Sequence, residues 1–146
     1  MEALFDHEKL SVYQTSLEFV VESSTLLESI PKKSSLWSQL DRASTSIPLN
    51  IAEGNGKWSA RDHCRFFDIA YGSALECAAA IDIAVAKGHI ESKDGLRPKQ
   101  KLVSIVRMLI GLIKSNDPNR DFGKSPILKE DGEENYDSVM PEQDQE

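Results

Sequence analysis

Residues 42–76 read RASTSIPLNIAEGNGKWSARDHCRFFDIAYGSALE. The stretch predicts the end of one helix, a glycine stop and the first half of a longer helix. Leu36, Leu40, Ala43, Ile47 and Asn50 recur at 3-4 spacing, with Ile51 beside them, which is the period of a helix with one buried side. Pro48 falls inside that pattern. A helix-interior proline loses one backbone bond and clashes one turn back, at about 3 kcal/mol. The apolar stripe keeps its phase through Pro48, so a kinked helix is expected over 34–53, with nearby serines or threonines serving the freed Ser44 carbonyl. Gly54-Asn55-Gly56 stops it, because a glycine after the last turn accepts the left-handed conformation. Ser59 then opens a helix over 59–88, with Asp62 three positions on as in a capping box.

Working outward, residues 6–30 predict the first helix, capped by Asp6 and ended by Pro31. Leu10, Tyr13, Leu17, Val20, Ser24 and Leu27 form its main stripe, and Val12, Phe19 and Leu26 a second one. In the third helix the inward stripe is Phe67, Ala70, Ala74, Cys77, Ile81 and Ala84, flanked by Phe66, Ser73 and Ala80. Small residues crowd its middle. Gly72 costs about 1 kcal/mol in a helix interior, which implies that a neighbour approaches closely there. Gly88 closes this helix and residues 89–98 read as a loop. The fourth helix runs from about Pro98 to Ser115 on Leu102, Ile105, Leu109 and Leu112. The fold class is therefore all-α: an antiparallel up-down-up-down four-helix bundle over 1–116, followed by a disordered acidic tail over 117–146.

Charge divides the same way. Residues 1–115 hold 14 basic and 14 acidic side chains, whereas 116–146 hold 3 and 10, so the net charge of −7 belongs to the tail. The body is neutral, and the overall acidity says nothing of what it binds. No apolar run approaches the ~20 residues of a membrane span, and the N-terminus lacks an apolar signal region. A cytoplasmic protein without a membrane partner is expected. Cys64 and Cys77 lie about 20 Å apart along one helix and cannot bridge. They read as reduced, buried thiols.

Chemistry is sparse. Glu53 and Glu76 are the carboxylates closest to the core, but no nucleophile and base accompany them. They fit better in a structural polar network of Arg42, Asn50, Glu53, Ser73 and Glu76 across two helices. No glutamate has a histidine three residues on, as a di-metal bundle requires, so no metal or cofactor is expected. His63 reads as a surface residue. Gly54-Asn55-Gly56-Lys57 lacks the spacing and the preceding strand of a phosphate loop. The remaining signal is cationic. Lys57, Arg61 and Arg65 gather at the start of the third helix beside Trp58, where a helix N-terminus favours phosphate. Further lysines and arginines, Lys87, Arg97, Lys99 and Lys101, flank the third loop.

The run Arg42-Ala43-x-x-Ser46-Ile47-Pro48-x-Asn50-Ile51-Ala52-Glu53-Gly54-x-Gly56-Lys57, followed by Ser59, Phe66, Ala70, Gly72-Ser73 and Glu76, closely resembles the bacterial four-helix-bundle family of 23S rRNA intervening-sequence proteins. Accessory proteins of diversity-generating retroelements are related to it. The likeness is dense over 42–76 and looser over 7–115. It implies an antiparallel four-helix protomer in a ring-like homopentamer, a non-enzymatic role, and RNA or DNA binding through basic surface residues. Lys57 stands where the family commonly has arginine, which keeps the charge but loses the bidentate fork. The expectation is a homo-oligomeric bundle whose partners are itself and structured RNA or DNA. The alternative is a protein-interaction scaffold that binds no nucleic acid.

Overall fold

The computed structural model describes residues 2–123 and residue 127. A 3-10 turn at Asp6–Lys9 leads into four α-helices: α1 (Ser11–Leu27), α2 (Ser35–Asn55), α3 (Ala60–Ala86) and α4 (Ser92–Asn116). Short connections at 28–34, 56–59 and 87–91 reverse the chain each time. Each helix packs on two neighbours: α1 on α2 and α4, and α3 on α2 and α4. The diagonal pairs make no close backbone approach. The result is a square antiparallel bundle, as the periodicities require.

One core fills it. Phe19, Leu40, Ile47, Ile51, Phe67, Cys77, Ile81, Ile105, Leu109 and Ile113 are almost wholly buried, with members from every helix. The stripes expected on α2 and α3 face inward. On α1 the emphasis shifts. Its buried line is Val12, Ser16, Phe19, Ser23 and Leu26, while Leu17 is 43 % exposed. The serines hide this register. The Ser16 hydroxyl donates to the Tyr13 carbonyl at 2.6 Å and that of Ser23 to Val20 at 2.9 Å. Each satisfies itself on its own helix and so is buried at little cost.

Three further local expectations are corrected. Gly54 does not end α2 in a left-handed cap. It lies inside the helix and is buried, and Gly56 at the C-cap has φ −83°. Gly54 is needed for space: a Cβ there would lie 2.9 Å from Phe66 Cβ and 2.9 Å from Phe67 Cε1. Next, α4 begins at Ser92, one and a half turns before Pro98, which is buried within the helix. Gly95, read as a loop residue, lets α4 approach α3, since a Cβ there would meet Ile81 Cγ2 at 2.8 Å. Finally, Gly72 is exposed, and a Cβ at that position would have nothing within 4 Å, so no intrachain neighbour explains it.

Pro48 is accommodated as one helix, α2 running unbroken from Ser35 to Asn55. The local hydroxyls do not serve the Ser44 carbonyl: Ser44 and Thr45 both donate to Asp41 at 2.9 Å. At α3 the ends follow expectation. The Ser59 hydroxyl accepts from the Asp62 N–H at 3.1 Å. At the other end Gly88 has φ +73°, and bonds from Gly88 N to Val85 O and His89 N to Ala84 O complete a Schellman turn.

α3 needs one more remark. It is 27 residues long and holds an 18-residue window with a mean hydropathy of 1.5, enough for a membrane span by length and composition, contrary to the reading of the sequence. In the bundle 39 % of that window is buried, and Cys64, Phe67, Ala70, Ala74, Cys77, Ala80, Ile81 and Ala84 of α3 face the core, while Ile69, Leu75 and Ile83 stay exposed. Both cysteines are free. Burial, with Glu76 nearby, pushes the Cys77 thiol up to about 12.

The tail expected from 117 onward falls largely outside the described residues. The part that is described lies against the bundle. Arg120 pairs with Asp68 at 2.7 Å, and Phe122 packs against the core beneath Lys114 and Arg120.

Candidate nucleic-acid interface

The loop 56–59 and the first turns of α3 form one end of the bundle. Trp58 is 100 % exposed. Lys57, Arg61 and Arg65 are exposed around it, and none makes an ion pair among the described residues. Lys57 Nζ lies 4.8 Å and the Arg65 guanidinium 5.9 Å from the centre of the Phe66 ring. Both cations thus rest against one half-buried aromatic ring, which limits their wandering and leaves their charge to solvent.

His63 positions this loop, a role that reading it as a surface residue missed. Its two ring nitrogens face two acceptors, the Lys57 carbonyl at Nε2 and Asn116 Oδ1 at 3.1 Å from Nδ1, so making both bonds takes a proton on each nitrogen. Asn116 is fixed in turn by donating to the Leu112 carbonyl at 2.8 Å. The start of α3 is therefore tied to the end of α4. No spacing rule signals such a tether, because its partners are 6 and 53 residues away.

Behind the loop, Arg61, Asp62, Arg65, Asp68, Asn116 and Asp117 line a shallow polar cleft. Asp68 is neutralised there by Arg120, whose guanidinium the Asp68 hydrogen bond holds above the ordinary arginine range. The open cations project from the rim, next to Trp58.

Three of the four members of the second basic group, all but the exposed Lys87, are held by acids. Lys99 is bound to Asp82 at 2.6 Å, Lys101 to Glu22 at 3.1 Å and Glu18 at 3.3 Å, and Arg97 to Glu22 at 3.2 Å. These side chains knit helices together. Lys101 and Glu22 are only 17 % and 20 % exposed. Burial by itself would lower the Lys101 pKa, but its bonds to Glu22 and Glu18 outweigh that and hold the ammonium above its usual range.

The polar clamp separates into two pieces. Arg42 meets Glu76 at 3.1 Å on the surface, with Arg42 73 % exposed. An exposed pair of this kind contributes little, on the order of 0–1 kcal/mol. Deeper, the hydroxyls of Ser46 and Ser73 lie 2.8 Å apart, and Asn50 Nδ2 donates to both Ser46 Oγ and the Ser46 carbonyl. Ser46 is the hinge of this cluster. Glu53 takes no part: it is exposed and makes no side-chain bond among the described residues. Glu76 is half-buried, but it faces Arg42 and not a second carboxylate. Among the described residues no three His, Cys, Asp or Glu side chains gather as metal ligands.

The model of the family described as 23S rRNA-intervening sequence protein matches residues 8–111. The chain belongs to that family. A solved structure agrees with it: a protein of unknown function from the S23 ribosomal protein family of Bacteroides thetaiotaomicron. That protein is 26 % identical to this chain, with a TM-score of 0.66 over 70 % of this chain and 98 % of its own. No curated protein matches the chain. The family match covers α1 to most of α4 and leaves the segment after α4 outside it. For this member of the 23S rRNA-intervening sequence proteins, the matched part is thus the bundle, and the acidic C-terminal segment lies outside the match.

Proposed function

We propose that this chain is a non-enzymatic, cytoplasmic, homo-oligomeric bundle that binds structured RNA or DNA through Lys57, Trp58, Arg61 and Arg65. The observation that carries this reading is a wholly exposed tryptophan among three cations that make no ion pair among the described residues. Lysines and arginines neutralise backbone phosphates, and an exposed aromatic ring offers a face on which an unpaired base stacks. A structural role for Trp58 has no support in its contacts. The names of the family and of its structural neighbour, rRNA-related and ribosomal, favour RNA.

The reading predicts salt-sensitive affinity for a structured RNA. Lys57→Glu with Arg61→Glu should weaken binding by at least about tenfold and flatten the log affinity against log salt slope by roughly two phosphate contacts. Equal affinity in wild type and double variant would remove this assignment.

Self-association, which the homopentamer implied by the family likeness requires, is supported by the outer face of α3. Ile69, Gly72, Ala79 and Ile83 follow one another on that face at helical spacing, and Ile69 and Ile83 are more than two-fifths exposed. Gly72 gives a direct probe. In an isolated bundle Gly72→Ala should add up to about 1 kcal/mol, since no atom opposes the methyl. Under the assembly proposed here a second copy fills that space, so the substitution should lower the mass seen by light scattering. An unchanged mass with higher stability would take this stripe out of the interface.

A further inference from the structure

His63 joins three parts of the chain at the Trp58 end of the bundle. It stands in the first turn of α3, its Nε2 faces the Lys57 carbonyl of the preceding loop, and its Nδ1 lies 3.1 Å from Asn116 Oδ1 at the end of α4. A backbone carbonyl only accepts. The Asn116 amide is oriented from its other end, because Nδ2 donates to the Leu112 carbonyl at 2.8 Å. Turned over, the amide would set oxygen against oxygen and lose that bond. The Phe67 ring packs at an angle to the imidazole, with centres 6.2 Å apart, and offers no alternative partner. Both contacts together therefore need the imidazolium. A neutral ring has one N–H and must forgo one of them. The two losses are unequal. The Asn116 contact is part-buried, whereas the Lys57 contact is exposed and water serves that carbonyl. The neutral ring thus keeps its proton on Nδ1 and lets go of the loop.

We propose that His63 is a proton switch on the loop 56–59: charged, it fastens the loop that carries Lys57 and Trp58 to the end of α4, and neutral, it releases that loop. Little else holds these residues. Gly56, Lys57, Trp58 and Ser59 are all exposed, and their other hydrogen bonds among the described residues span only three or four positions. The charged side chains at this corner are Lys57 in the loop, Arg61, Asp62, Arg65 and Asp68 on α3, Lys114 and Asp117 near the end of α4, Arg120 beyond it, and Glu53 and Asp6 on the α2 side. They balance, five basic against five acidic, and none bonds to the imidazole through its charged group. The two acceptors are what distinguishes the protonation states. Histidine is the side chain whose charge ordinarily changes between about pH 5 and 8. The fastening is complete in mildly acidic solution and is lost as pH rises through the titration of the ring. The switch stands on these contacts and not on what Trp58 binds.

The test is a pH titration of the full, isotope-labelled chain, with the histidine ring nitrogens and the backbone amides read by NMR. Near pH ~5 both His63 ring nitrogens should carry protons. By about pH 8 Nε2 should have lost its proton while Nδ1 keeps its own, and the Lys57, Trp58 and Ser59 amides should shift with the same midpoint. Asn116→Ala removes the second acceptor. In that variant the neutral ring should hold its proton on Nε2, the loop should stay fastened, and its amides should no longer follow the ring. His7, which the Asp6–Asn55 bond places at the same end of the bundle, is untouched by the substitution and serves as the internal control. Helix amide shifts confirm that the variant is folded. A wild-type ring still neutral near pH ~5 would overturn the inference, as would a neutral wild-type ring with its proton on Nε2. So would loop amides that ignore the titration of the ring, or that follow it equally in Asn116→Ala. No nucleic acid is added, so a failure here is distinct from a failure of the proposed interface.

Discussion

Gly54→Ala should unfold about 2 kcal/mol more easily than the parent chain, despite the better helix propensity of alanine. The new Cβ would sit 2.9 Å from Phe66 Cβ and 2.9 Å from Phe67 Cε1, well inside contact distance. Neither neighbour yields readily. Phe66 Cβ moves only with the α3 backbone, and Phe67 is 2 % exposed in the core. The strain falls on the α2/α3 pairing, the most extensive in the bundle. It should appear as a fall in Tm of roughly 5–10 °C. Gly56→Ala is the control. A Cβ there meets only the Ala52 and Glu53 carbonyls, at 3.6 and 3.7 Å, and φ is ordinary. Its stability should lie within about 0.5 kcal/mol of wild type. Equal losses for both variants would mean that a turn conformation, and not close packing, requires glycine at position 54.

Lys101→Met should cost a similar amount, about 2 kcal/mol, because it strands Glu22. That carboxylate is 20 % exposed, and its Oε2 already lacks a hydrogen-bond partner. With Lys101 gone, only the largely exposed Arg97 faces it. Replacing both residues, Lys101→Met with Glu22→Leu, should recover most of the loss, since a packed apolar pair is as stable as a desolvated ionic one. Urea unfolding of the two singles and the double gives the coupling energy. The pH dependence has a definite sign. The folded ammonium titrates above the ordinary lysine value of 10.5. Its stabilising contribution is therefore complete below that value and disappears as pH rises through the folded pKa.

The segment 42–76 was legible as fold because its information is periodic. Leu40, Ala43, Ile47 and Ile51, then Phe67, Ala70, Ala74 and Cys77, mark two facing stripes, and these are the residues found in the core. Legibility fails where one residue type serves several ends. Glycine signals a turn, a flexible link or a close approach, and Gly54 and Gly95 proved to be the last. Ser16 and Ser23 look solvent-facing until their hydroxyls are seen to return to their own helix. Lysines and arginines are equally ambiguous. Only the three-dimensional partners separate Lys99 and Lys101, held by acids, from Lys57 and Arg61, which are open. The His63 tether and the Arg120–Asp68 pair join residues 53 and 52 apart in sequence, beyond any local pattern.

The claim that the start of α3 is a nucleic-acid interface rests most heavily on Trp58, and its emission tests it most directly. Trp37 is half-buried beside Lys32, so a Trp37→Phe chain leaves Trp58 as the sole reporter. Titrating that chain with a structured RNA should quench Trp58 as bases stack on it, with an apparent affinity that weakens steeply as salt is raised. RNA binding that leaves the Trp58 emission unchanged at every salt concentration would contradict the account.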